Sequence, residues 1–166
     1  GIKTMAGVTG RFEKIDTAKG IYAIVDYAHT PDGLENVLKT AKSLLLPGAR
    51  LISVFGCGGD RDRKKRKIMG LISASLADFS IITSDNPRTE DPASIIGMIE
   101  AGFKEHGAQN YAKETDRRTA ILNALNMAGK NDIILIAGKG HEDYQEFAGG
   151  RIHFSDQEVV REWSRA

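Results

Sequence analysis

The chain has little of what secreted or membrane-spanning proteins depend on. Its 166 residues include one cysteine, Cys57, which excludes an internal disulfide and gives no support to secretion. No apolar run approaches the roughly 18 residues of a membrane-spanning helix, and no signal-peptide pattern opens the chain. We therefore expect a cytoplasmic protein that has no membrane partner.

An excess of charge of one sign is also missing, because the formal net charge is only +1. The local exception is the segment 61–67, in which six of seven residues are basic. One interpretation of this segment is nucleic-acid binding, and another is an anionic partner such as a phosphate or a substrate carboxylate. Phe79 and Tyr111 are aromatics that could interleave with it, and neither is adjacent. We therefore expect no nucleic-acid partner.

The motifs of several common enzyme classes are absent as well. The histidines and Cys57 are scattered without the paired spacing of metal ligands, so we expect no metal site in this chain. The glycine-rich stretch that begins at Gly56 has Arg61 where a dinucleotide-binding fingerprint requires glycine. The chain contains neither a phosphate-binding P-loop nor the nucleophile elbow of serine hydrolases.

The chain does contain a regular alternation of strand-like and helix-like segments. Apolar runs with β-branched residues predict strands at 21–25, 51–55, 79–82 and 133–136, with weaker strands at 11–16 and near Tyr111. Capping residues and helical periodicity predict helices from Pro31 to Pro47-Gly48, over 65–76, from Pro92 to Gly107, from Asp116 to Met127, and from Ser155 onward. This order predicts an α/β fold with a mainly parallel sheet and helices on both faces. A hairpin of 144–147 and 151–154 is expected to supply an antiparallel edge strand.

Four loops that follow predicted strands carry most of the polar chemistry. Their sequences are DYAHTP (26–31), GCGGDRDR (56–63), SDNPRTEDP (84–92) and AGKGHEDY (137–144). Because the carboxyl ends of parallel strands share one edge of a sheet, the four loops should meet at the edge where α/β proteins bind ligands.

The loop at 84–92 is the strongest single candidate for a ligand contact. Pro87 stiffens it and disfavours helix at Asn86, while Arg88 presents a planar fork that suits a carboxylate. The alternative is an ordinary turn with a solvated arginine. Asp26 has two open interpretations too, as a ligand group or as an acceptor within its own turn. His141, which precedes Glu142, favours a polar substrate contact over core packing.

Taken together, the motifs DYAHTPDGLENVL, VFGCGGDRDRKKR, SDNPRTEDP and AGKGHEDYQ resemble the C-terminal domain of Mur ligases of the type that adds meso-diaminopimelate. The resemblance extends from Gly10 to the end of the chain. It implies a Rossmann-like domain over 11–166 with one antiparallel strand, preceded by an interdomain linker over 1–10. It also implies that a UDP-sugar-binding domain and a central P-loop ATPase domain belong to the same protein outside this chain, which would account for the missing P-loop and the glycine at position 1.

The resemblance further implies a part of an ATP-dependent amide ligase of peptidoglycan synthesis. The implied partners are meso-diaminopimelate, UDP-MurNAc-L-Ala-D-Glu, ATP and the protein's own two other domains. Mg²⁺ is implied as a cofactor whose ligands lie outside this chain, and this chain alone is expected to be inactive. The alternative is a free-standing module that binds an amino acid or a nucleotide without catalysis.

The family's motifs also imply individual roles. Arg88, assisted by Asn86, would hold the distal carboxylate of diaminopimelate, and Arg61 would hold another carboxylate. The backbone of Gly138 and the side chain of Glu142 would fix the distal amino group. Lysine-adding relatives lack the arginine at the position of Arg88, so its presence favours diaminopimelate. The implied diaminopimelate-binding residues are Arg61, Asp85, Asn86, Pro87, Arg88, Gly138 and Glu142, and the implied nucleotide-binding residues are Tyr27 and His29; no catalytic residue is expected here.

Overall fold

The computed structural model describes residues 9–166, and its centre is a six-stranded sheet. The strands are β1 (Glu13–Asp16), β2 (Tyr22–Asp26), β3 (Leu51–Phe55), β4 (Phe79–Ile82), β5 (Tyr111–Lys113) and β6 (Ile133–Ala137). Their spatial order is β1-β2-β6-β3-β4-β5, and every pair is parallel except β1 with β2. The expected α/β fold with a mostly parallel sheet is confirmed. Most of the predicted linker at 1–10 lies outside the described residues.

Helices cover both faces of this sheet and bury two apolar clusters against it. The helices are α1 (Pro31–Ser43), α2 (Lys64–Leu76), α3 (Pro92–His106), α4 (Arg117–Met127) and α5 (Asp156–Arg165). One cluster joins α1, α2 and α3 to the sheet, and the other joins α4 and α5 to its opposite face. Every residue of β3 and β6 is buried, as expected for central strands that are covered on both sides.

The helix starts follow from local capping chemistry, as the sequence predicted. The side chains of Thr30, Asp91, Asp116 and Ser155 each accept a hydrogen bond from the backbone N–H three residues later. The end of α1 was predicted about four residues too late. Leu44 and Leu45 donate to carbonyls only three residues back, so the chain tightens into a turn before Pro47.

The predicted source of the antiparallel edge strand was wrong. That strand is β1, whereas β7 (Tyr144–Phe147) and β8 (Gly150–His153) form a separate two-stranded sheet. All four residues of β8 are exposed, so this strand has no apolar face to bury against the central sheet. The hairpin instead contacts the 84–92 loop, where the Arg88 N–H donates to the Glu146 carbonyl at 3.0 Å.

Neighbouring strands β2, β6, β3 and β4 bring their carboxyl ends to one edge of the sheet. The four polar loops identified from the sequence leave from these ends and therefore lie side by side. In the part of the chain that the structure describes, no helix is long and apolar enough to cross a membrane.

Candidate functional site

The four loops enclose a cleft of about 660 Å³ at the carboxyl edge of the sheet. The cleft brings together nearly all residues that the sequence singled out. Among the implied binding residues Pro87 is the exception, because its carbonyl packs against Gly59 and it does not line the cleft. Asp26 and His141 do not line it either. The singled-out residues that line the cleft are Tyr27, His29, Arg61, Asp85, Asn86, Arg88, Gly138 and Glu142.

Arg88 is held in place by protein contacts and is not the solvated arginine of the alternative interpretation. Its backbone has a φ of 53°, in the left-handed region that few non-glycine residues adopt. Its Nε donates to Glu146 Oε2 at 3.1 Å, and its Nη1 donates to the Gly59 carbonyl at 2.8 Å. The side chain is only 20% exposed. These contacts leave Nη2 without a protein partner among the described residues, so this nitrogen can donate to a ligand.

The glycines after β3 allow the backbone of the 84–92 loop to approach closely. A Cβ on Gly56 would lie 2.2 Å from the Thr83 carbonyl oxygen, and a Cβ on Gly59 would lie 1.8 Å from that of Pro87. The Gly59 N–H donates to the Asn86 carbonyl at 2.8 Å. The glycine-rich stretch therefore supports the neighbouring loop, and the Gly59 N–H is not free to bind an anion.

Asn86 and Glu142 belong to a buried polar network centred on Lys139, which the sequence analysis did not single out. Lys139 Nζ donates to Asn86 Oδ1 and to Glu142 Oε2, each at 3.0 Å. Asn86 Nδ2 donates to the same Glu142 oxygen at 3.2 Å, and the Glu146 N–H donates to Asn86 Oδ1 at 3.0 Å. The signal that could have identified Lys139 is its place after the most apolar strand, where a cation needs partners.

Asp85 supplies an unpaired acceptor beside this network. Its Oδ1 is buried, has no hydrogen-bond partner in the described chain, and lies 3.6 Å from Lys139 Nζ. Its backbone carbonyl accepts from Gln145 Nε2 at 2.8 Å. Gly138 adjoins this carboxylate with a φ of 119°, and its N–H already donates to the Asp26 carbonyl. The Gly138 carbonyl is therefore the backbone group that remains for a ligand.

Tyr27 and His29 form an aromatic wall of the cleft. Their ring centroids are 4.7 Å apart at an interplanar angle of 60°, and His141 lies 5.6 Å from Tyr27. His29 Nδ1 lies 2.8 Å from the Tyr27 carbonyl oxygen, which places the proton on that nitrogen. Burial, and then the nearby Glu142 carboxylate, raise the pKa of Tyr27, so the phenol keeps its proton at neutral pH.

Asp26 is an acceptor within its own turn, and its interpretation as a ligand group is not supported. Its Oδ1 accepts from the Ala28 N–H and its Oδ2 from the Phe12 N–H, both at 2.7 Å. Two short charge-assisted bonds fix the start of the DYAHTP loop. The carboxylate thereby positions Tyr27 and His29 at the cleft.

Most of the basic segment at 61–67 is engaged within the protein. Arg66 is fully buried and pairs with both oxygens of Glu90, at 2.8 and 2.9 Å. Lys65 Nζ donates to the His29 carbonyl at 2.7 Å, and Lys67 pairs with Glu105. Arg61 remains at the cleft.

The described residues 9–166 contain no group of three or more His, Cys, Asp or Glu side chains that could hold a metal ion.

The sequence and fold of this chain are similar to those of known proteins. The family model of the Mur ligase, glutamate ligase domain, matches residues 10–140. The UDP-N-acetylmuramoyl-L-alanyl-D-glutamate–2,6-diaminopimelate ligase of Alkaliphilus metalliredigens is 55% identical over 162 residues, which cover 98% of this chain and 32% of that protein. The ligase of the same name from Clostridioides difficile is 51% identical, with 98% and 33% covered.

A solved structure of a UDP-N-acetylmuramoyl-L-alanyl-D-glutamate–2,6-diaminopimelate ligase is similar to this fold with a TM-score of 0.85 and 45% identity. The match covers 95% of this chain and 32% of that one. The chain thus spans about a third of the length of the relatives it matches.

Proposed function

Because the chain belongs to the Mur ligase, glutamate ligase domain family, we propose that it recruits the amino acid for an ATP-dependent ligase that adds meso-diaminopimelate to UDP-MurNAc-L-Ala-D-Glu. The observation that carries the proposal is the composition of the cleft. It presents the guanidinium groups of Arg61 and Arg88 together with the carboxylates of Asp85 and Glu142. This charge pattern is complementary to a ligand with two carboxylates and two ammonium groups.

The contacts within the cleft suggest a role for each group. Arg88 Nη2, which has no partner among the described residues, would donate to the distal carboxylate, and the second N–H of Asn86 Nδ2 would assist. Arg61, which is exposed at the cleft, would hold another carboxylate. The Gly138 carbonyl and Glu142 would accept from the distal ammonium group. Pro87 would act indirectly by seating the loop against Gly59.

The reaction requires the other domains of the ligase. The terminal D-glutamyl carboxylate is activated as an acyl phosphate at the expense of ATP, and the amine of diaminopimelate displaces phosphate to give an amide, ADP and inorganic phosphate. This chain would orient the amine and would contact the nucleotide through Tyr27 and His29. We assign the ligands of the Mg²⁺ that accompanies ATP to the central domain, outside this chain. We assign the whole ligase to the cytoplasm.

A free-standing binding module is the weaker alternative. The ligases named above carry the matching domain as about a third of a longer protein. A binding module would also have no need for an aromatic wall beside an amino-acid site, whereas a ligase must bring nucleotide and amino acid together.

The decisive experiment compares meso-diaminopimelate with L-lysine in the full-length ligase, by phosphate release with UDP-MurNAc-L-Ala-D-Glu. We expect a strong preference for diaminopimelate. Arg88→Ala should lower kcat/KM for diaminopimelate by about 30- to 5,000-fold, since losing one partner of a charge-assisted pair costs on the order of 2–5 kcal/mol.

The control is Arg118→Ala, which removes an arginine that pairs with Glu162 on the surface and should leave kcat/KM unchanged. A preference for lysine would support the proposed ligase activity but would refute the proposed role of Arg88. No release with either amino acid would refute the proposed function.

A further inference from the structure

Lys139 is a fully buried lysine that lies directly behind the cleft. Its side chain is 0% exposed and is not part of the cleft lining. Besides the bonds to Asn86 and Glu142, its ammonium group lies 3.6 Å from Asp85 Oδ1 and 5.3 Å from the centre of the Tyr144 ring. A buried charge is tolerated only with such partners, so these contacts fix the position of the ammonium group.

The first consequence concerns the amide of Asn86. Its Oδ1 accepts from two donors, the Lys139 ammonium and the Glu146 N–H. A flipped amide would direct its NH₂ group at both donors, so Nδ2 must face Glu142. One of its two N–H groups then remains for a ligand at the cleft.

The second consequence concerns the carboxylates. Glu142 Oε2 accepts from both Lys139 and Asn86, which leaves Oε1 as the free acceptor of that side chain among the described residues. One ammonium group between two carboxylates leaves a formal charge of −1 that faces the cleft. Without the ammonium group, Asp85 and Glu142 would lose the cation that lies beside both carboxylates.

We propose that Lys139 is a positioning residue for amino-acid recognition, which orients the Asn86 amide and holds the Glu142 carboxylate in place without contacting the ligand. This inference rests on the proposed function and deepens it, because it explains how the ammonium-binding part of the cleft is held.

The test uses the full-length ligase with Lys139→Met, Glu142→Gln and the double variant. Lys139→Met should raise KM for diaminopimelate about tenfold or more and leave KM for ATP and for the UDP-linked substrate within about twofold. In the Glu142→Gln background the same change should raise KM less than about threefold, because the carboxylate that Lys139 holds is gone and only the bond from Lys139 to Asn86 remains to be lost. Lys104→Met, which removes a lysine that pairs with Glu100 on the surface of α3, is the matched control.

The outcomes separate the two proposals. Equal factors in both backgrounds would mean that Lys139 contacts the ligand or acts only on the fold, and either would overturn the inference. If Lys139→Met alone does not fold, the KM for diaminopimelate of the double variant is compared with that of Glu142→Gln. Similar values would support the inference, and a much higher value for the double variant would overturn it. A wild-type ligase that releases no phosphate with diaminopimelate would refute the proposed function and, with it, this inference.

Discussion

At the scale of single residues, Gly59 allows the 84–92 loop, which carries Asn86 and Arg88, to pack closely against the loop that follows β3. A side chain at this position would collide with the Pro87 carbonyl. Gly59→Ala should therefore displace the 84–92 loop, lower the free energy of unfolding by about 1–3 kcal/mol and raise KM for diaminopimelate. Urea unfolding measures the first effect and steady-state kinetics the second.

Gly97 provides the control for this prediction. It lies within α3, and a Cβ there would meet nothing within 4 Å. Gly97→Ala should raise the free energy of unfolding by about 0.5–1 kcal/mol, because alanine costs less backbone entropy in a helix. If both alanine variants had the same effect, the steric argument for Gly59 would be wrong.

The sequence identified residues whose positions follow from strand order, and it missed those whose positions depend on contacts between distant parts of the chain. Arg88, Asn86 and Glu142 were predicted to share one edge because each follows a strand of a parallel sheet. The burial of Lys139 and the pairing of Arg88 with Glu146 depend on where the β7–β8 hairpin lies. That position is set by contacts between residues about sixty apart, which local patterns do not encode.

At the scale of elements, α2 starts without the usual stabilisation of a helix N-terminus. The N-cap residue Arg63 makes no capping hydrogen bond, the first turn has no acidic residue, and among the described residues only Asp62 Oδ1 accepts from the first helical N–H, that of Lys64, at 2.9 Å. Glu90, from the 84–92 loop, compensates by pairing with Arg66 and accepting from the Asp60 N–H at 2.7 Å. The hydrogen bonds from Arg66, and then that from Asp60, lower the pKa of Glu90 to about 2. This carboxylate therefore ties α2 to the candidate site.

The lowered pKa gives Glu90 a defined effect on the pH dependence of stability. Because the folded pKa lies below the unfolded one, the stabilisation is fully present above the unfolded value, about 4.5, and is lost as the pH falls toward about 2. Wild-type protein should therefore lose more stability than Glu90→Gln between pH 5 and pH 2. Thermal unfolding across that range measures the difference.

Glu105→Gln is the matched variant, because it removes one carboxylate from a surface pair with Lys67 and leaves the Arg66 pair intact. A Glu90→Gln protein whose stability falls with pH as steeply as that of wild type would contradict the assigned role of the Arg66 pair.

Strand pairing is a second feature that local sequence patterns do not determine. The sequence located β1 and the β7–β8 hairpin, yet it assigned the antiparallel edge to the hairpin. A strand pattern reports burial and propensity, whereas the choice of partner depends on which surfaces remain uncovered in the assembled sheet. All four residues of β8 are exposed, and Ile152 is its only large apolar residue, so this strand lacks the apolar face of a strand in a covered sheet.

At the scale of the whole molecule, one buried ion pair joins the two sides of the candidate site to the helical layer beneath. Arg117 and Asp156 are both fully buried, with Nε–Oδ1 and Nη2–Oδ2 distances of 2.8 Å. The guanidinium group also donates to the carbonyls of Ser84 and Ala137, from which two of the site loops depart. Burial lowers the pKa of Arg117, but the Asp156 carboxylate raises it more, so the arginine stays charged.

Asp156→Asn should destabilise the protein by about 3–5 kcal/mol, because it leaves a buried guanidinium group without its counter-charge. Replacing both partners, as in Arg117→Met with Asp156→Leu, should cost less than the single change, since no buried charge then remains. Urea unfolding of the three proteins measures these differences. The exposed pair of Arg118 with Glu162 is the control, and Glu162→Gln should cost less than about 1 kcal/mol. An Asp156→Asn protein within 1 kcal/mol of wild type would show that the backbone carbonyls of Ser84 and Ala137 suffice to hold Arg117, and that the two site loops are positioned by the sheet alone.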